Sequence, residues 1–170
     1  MASLMEELIT TLSKEEELYR ELLPIQETKT EVIIKNDIEQ LQLITGKEQE
    51  TIDKITALER KREEVIQNIG TVLNRNPKTL TLTNLIQIMA KQPEDQKKLQ
   101  QLHDQLQDSV KKLVKVNERN QMLIKQSLEM IEFNMNLLQS TRIVPGSNYT
   151  KYASEWEPGA FQTGMFDAKQ

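Results

Sequence analysis

Leu99, Leu102, Leu106, Val110, Leu113, Val116, Asn120, Ile124, Leu128, Ile131, Met135 and Leu138 follow one another at intervals of three and four residues. A run of that length and period is an amphipathic α-helix, because such spacing returns to one face only when the chain turns about every 3.6 residues. Any fold for this chain must bury a stripe many turns long. Only other long helices supply a matching stripe at low cost.

The rest of the first 140 residues offers them. Leu8, Leu12, Tyr19, Leu22 and Ile33, flanked by Leu18, Ile25 and Val32, predict a first helix over about 4–36. Pro24 removes a backbone donor inside it and predicts a kink near residues 20–24. Asp37, with Gln40 three residues on, reads as the N-cap of a second helix over 37–74. Its apolar residues include Ile38, Leu41, Ile44, Ile55, Leu58, Val65 and Ile69, and Asn74-Arg75-Asn76-Pro77 ends it. A short helix over 81–91 follows, capped by Thr81, and Pro93 with Glu94 and Asp95 opens the last helix, over 93–140. The expected fold is all-α: an elongated antiparallel three-helix bundle with a short connecting helix.

At 1.5 Å per residue the three long helices span roughly 50, 57 and 72 Å, so the last has a surplus. The surplus coincides with LEMIEFNMNLLQS, residues 128–140, where Leu128, Ile131, Met135 and Leu138 form one stripe and Met130, Phe133 and Leu137 another. Two apolar flanks on one unaccompanied cylinder call for a partner. Ile124, Leu128, Met130, Ile131, Phe133, Met135, Leu137 and Leu138 are therefore the candidate binding residues. Met130 and Met135 suit a surface that adapts to more than one apolar ligand.

Residues 141–170 lose the helical period and read as a flexible tail. The tail nevertheless holds five of the seven aromatic residues, and rings on a mobile segment make docking peptides. Tyr149, Tyr152 and Trp156 are the candidates there, with packing of the tail onto its own bundle as the alternative. The sequon at Asn148-Tyr149-Thr150 reads as chance, since nothing at the start, MASLMEEL, resembles a secretion signal.

Catalysis has little to stand on. Cysteine is absent, His103 is the only histidine, Gln100 occupies the place where a di-metal helix motif needs Glu, and no phosphate-binding or dinucleotide fingerprint occurs. No enzyme, metal or cofactor is expected. The net charge of −4, with 9 basic against 16 acidic side chains over residues 1–74, also speaks against nucleic acid, and no stretch is apolar enough for membrane insertion. KEEEL, residues 14–18, and ERKR, residues 59–62, read as solvated faces with pairs four residues apart.

The blocks LMEELITTLSKEEELYRELLPIQETKTEVIIKNDIEQLQLI, ALERKREEVI, LTNLIQIM and ERNQMLIKQSLEMIEFNMNLL, with a tail ending GMFDAKQ, resemble flagellar export chaperones of the FlgN type over about residues 4–140. Pro24 departs from the uninterrupted first helix expected of that family. The resemblance implies a cytoplasmic, non-enzymatic type III export chaperone. It would hold the C-terminal amphipathic helices of hook-filament junction proteins, prevent their early assembly and bring them to the cytoplasmic domain of the export gate. A tyrosine near the C-terminus engages the gate in some members. A monomer is the expected state; a structural coiled coil that pairs with its own copy is the rival reading.

Overall fold

The computed structural model describes residues 2–143, and the three tail candidates Tyr149, Tyr152 and Trp156 lie outside them. The chain divides into two units, Met1–Leu128 and Glu129–Gln170. Four α-helices are present among the described residues: α1 (Ala2–Ile34), α2 (Ile38–Val72), α3 (Leu82–Ile88) and α4 (Pro93–Ile143).

Local chemistry sets most of the boundaries. Asn36 takes a left-handed φ of 53°, its N–H reaches back to the Ile33 carbonyl and the Asp37 N–H to the Val32 carbonyl, and α1 closes at Ile34, two residues before its expected end. Asp37 then caps α2 by accepting from the Gln40 N–H at 3.0 Å. Asn74, φ 52°, repeats the device at the end of α2, where the Arg75 N–H donates to the Gly70 carbonyl. Thr81 caps α3 through the Asn84 N–H, and Pro93 is the first residue of α4. α1 passes through Pro24 without a break. α4 runs on to Ile143, three residues past its expected end.

In the first unit α1, α2 and the first part of α4 form a three-helix bundle. Partners across α1 and α2 run in opposite senses: Glu15 meets Arg62, Tyr19 meets Glu59 and Gln26 meets Glu48. α1 and α4 advance together, from the groove that Tyr19 and Leu23 share with Gln105 and Ser109 to the contact of Thr30 with Asn120. The apolar core is densest where the connecting segment crosses, with Met5, Leu8, Leu12, Val65, Ile69, Leu85 and Leu99 all nearly or fully enclosed. A smaller cluster of Leu22, Ile55 and Leu113 continues it.

Beyond Leu113 the interior turns polar. Asn120 Nδ2 donates to the Gln26 carbonyl at 3.0 Å, and Thr30 Oγ1 lies 2.6 Å from Asn120 Oδ1. Gln26 Nε2 donates to Glu48 Oε1, and Lys29 Nζ pairs with Glu48 Oε2 at 2.6 Å. All three long helices of the unit thus share one hydrogen-bonded layer, which costs less than its burial suggests because most of its groups have partners.

The KEEEL reading is corrected by this packing, and so is the pairing of the ERKR run, though not the exposure of Arg60 and Lys61. Glu15 and Glu16 are buried, not solvated, because Glu15 falls on the same spacing as Leu8, Leu12 and Leu22. Its Oε2 accepts from Arg62 Nη1 at 3.0 Å, while Oε1 has no protein partner. The ERKR run likewise reaches across to α1: Lys61 pairs with Glu7, Arg62 with Glu15, and Glu59 accepts from the Tyr19 hydroxyl. Burial raises the Glu15 carboxyl above its ordinary range against the opposing pull of Arg62, with Glu59 adding to the rise. Burial and the Glu59 carboxylate push the Tyr19 hydroxyl up to about 12.

A carboxyl whose pKa is raised on folding binds its proton more tightly in the folded chain, so its contribution is fully present below the unfolded value and is lost as pH climbs through the raised one. Glu15→Gln keeps an acceptor for Arg62 without the buried charge. Its urea midpoint relative to the parent chain is expected to rise from pH 4 to pH 7; a constant difference across that range removes Glu15 as the cause. The glycines of α2 give a second contrast. Gly46 has open space where a Cβ would stand, whereas a Cβ on Gly70 would sit 2.9 Å from Pro77 Cγ and 3.1 Å from the Arg75 carbonyl oxygen. Gly46→Ala should therefore stabilise by about 1 kcal/mol, and Gly70→Ala should destabilise by about 1–3 kcal/mol, both read from chemical denaturation.

Candidate functional site: an uncovered face of α4

The seam read from the sequence of α4 turns out to be two stripes. Leu99, Leu106, Leu113 and Asn120 are buried, Leu102, Ser109 and Val116 half-buried between them and Leu123 and Ser127 half-buried beyond, a strict alternation of three and four. Val110 is 40% exposed and does not belong to that set. It begins a second stripe, displaced by one residue and so by about 100° around the helix: Val110, Val114, Asn117, Gln121, Ile124 and Leu128. Ile124 is half-buried, and Val114 and Leu128 are exposed. Ser109 and Ser127 lie on the core face and Val110 on the outer one, so hydropathy alone steps from one stripe to the other.

In the second unit, every residue from Glu129 to Thr141 is exposed. Met130, Ile131, Phe133, Met135, Leu137 and Leu138 each leave between 53% and 63% of their surface open, values ordinarily met for charged side chains. Of the eight candidate residues, seven are therefore exposed and Ile124 alone is half-buried. Met130 and Leu137 continue the spacing of the core stripe, and Ile131, Met135 and Leu138 that of the outer one. Within this segment neither stripe is covered by any described residue.

The remaining surface offers shallow grooves lined with mixed charges, such as that of Glu6, Glu7, Thr10, Lys14 and Lys61. His103 is half-buried on α4 beside Asp104 Oδ1, at 3.1 Å. Among the described residues no group of three His, Asp or Glu is placed to hold a metal ion, and no helix is long and apolar enough to cross a membrane.

The described residues define an all-α bundle in the first unit and an uncovered apolar helix face in the second. The family model described as FlgN protein matches residues 1–155, and the chain belongs to that family, one of flagellar export chaperones. No curated protein and no solved structure matches it. Sequence reasoning did not find Val110 and Val114 as surface residues; the signal available was the one-residue offset between two interleaved heptad repeats.

Proposed function

We propose that this chain acts in the cytoplasm as a chaperone for hook-filament junction proteins, holding a C-terminal amphipathic helix of the client on α4 until delivery to the export gate. The observation that carries this reading is the apolar face of Leu128, Ile131, Met135 and Leu138, exposed together with Met130, Phe133 and Leu137. A client helix laid there shields its own apolar stripe, the same stripe it would use to assemble. Burying a side chain of this size is worth roughly 1.5–3 kcal/mol, so four or five offset the ordering cost and leave about micromolar affinity or better. Membership of the FlgN family supports a client from the flagellum.

Leu128→Asp with Met135→Asp puts two charges on the face without touching the core. Helix content and melting temperature are expected to stay as they are, while calorimetric binding of the junction-protein C-terminal helix is lost. Unchanged client affinity in the folded double variant would place the binding surface elsewhere. Light scattering adds a check on the rival: a monomer that forms a 1:1 complex supports the chaperone, and a stable dimer indifferent to the client peptide supports self-pairing.

Delivery to the gate is assigned to the tail, through Tyr149, Tyr152 or Trp156, because these rings follow the last helix in sequence and large rings make good docking anchors. Removing residues 145–170 should spare client binding and weaken binding to the cytoplasmic domain of the gate by at least tenfold. A truncated chain that no longer holds client contradicts this division of roles.

A further inference from the structure

The outer stripe of the first unit is not uniformly greasy. Asn117 and Gln121 interrupt it between Val114 and Ile124, both are exposed, and neither engages another side chain among the described residues. One residue beyond the stripe's positions at 110, 117 and 124 stand Lys111, Glu118 and Lys125, so charges of sign plus, minus, plus mark one edge at seven-residue intervals. All three are exposed, and among the described residues none has an ion-pair partner, whereas Lys112 on the same helix is already paired with Asp108.

In a helix pair, edge charges choose partner and orientation, and a polar residue inside the seam fixes register at some cost in affinity. Apolar residues alone would let a partner slide by a heptad. We propose that the segment from Val110 to Leu128 selects a partner helix by a code: an uncharged polar side chain in its apolar stripe to meet Asn117 and Gln121, and edge charges in the order acidic, basic, acidic to meet Lys111, Glu118 and Lys125. The code rests on the client-holding role proposed above. It deepens that role by stating the chemistry of the helix that is accepted and the register in which it lies. A uniformly apolar helix satisfies the stripe but leaves Asn117 and Gln121 facing hydrocarbon, which opposes its capture.

The test uses the full chain and two synthetic amphipathic peptides about three heptads long, with the same apolar stripe and one seam asparagine. One carries edge charges acidic, basic, acidic; the other has every sign inverted, to basic, acidic, basic. By fluorescence anisotropy at low salt, the first should bind about tenfold more tightly, the sum of three exposed pairs, with the difference shrinking as salt is added. The triple variant Lys111→Glu, Glu118→Lys, Lys125→Glu should invert the preference. Moving the seam asparagine by one heptad should weaken the preferred peptide by a similar factor. Equal binding of both peptides to the parent chain, or no inversion in the triple variant, overturns the code and leaves the client-holding face standing. Binding of neither peptide, with the junction-protein helix still captured, also overturns the code; loss of both overturns the face as well.

Discussion

Asn120 stands on the core stripe of α4, with its amide donating to the Gln26 carbonyl and its oxygen facing the Thr30 hydroxyl. A seam made only of leucine fits its neighbours almost as well after a slip of one heptad, because one leucine replaces another. A seam with a buried amide does not, since a slip leaves that amide enclosed without a partner. The axial register of α4 against α1 is thereby fixed, and with it the identity of every side chain left outside. Arg62 with Glu15, and Glu48 with both Gln26 and Lys29, do the same for α2 against α1. These groups add little net stability, because desolvation offsets most of their attraction. Their effect is on which of several similar packings is populated.

That constraint separates the legible part of the fold from the rest. Helix positions were legible because the spacing that makes them is written in Leu, Ile and Val, and Asp37, Thr81 and Pro93 act within three or four residues of themselves. Polar members of the seams were not. Glu15, Glu48, Arg62 and Asn120 occupy the same periodic positions as the leucines around them, yet only Asn120 was placed in a seam, because a charged side chain is normally read as solvated. Their partners are 22 to 94 residues away for the contacts of Gln26 with Glu48 and with Asn120, beyond any local rule.

The candidate face shows the complementary limit. Exposure near residue 130 was legible from length, since helices of 33 and 35 residues leave part of a 51-residue helix without a neighbour. The phase of the face was not, because the sequence carries two heptad repeats one residue apart: hydropathy steps onto the second at Val110, returns to the first at Leu113, and leaves it again between Asn120 and Ile124. Only the burial pattern tells them apart. The tail candidates Tyr149, Tyr152 and Trp156 lie outside the described residues and stand on sequence alone.

Two stripes on one helix have a physical consequence. Because the core stripe of α4 is already filled between Leu99 and Leu113, a partner on the outer stripe displaces nothing that holds the bundle together. Binding then draws on apolar area that is idle in the free chain, and release returns the chain to the same folded state with no refolding step. An uncovered stripe carries the hazard of self-association. Here it is broken by Asn117 and Gln121 and edged by charges that have no ion-pair partner among the described residues, so a second copy of α4 set antiparallel across it would bring Lys111 toward Lys125 in the same plus, minus, plus order. Like charges then oppose like at every heptad, which disfavours the copy while leaving a helix of the complementary order free to dock.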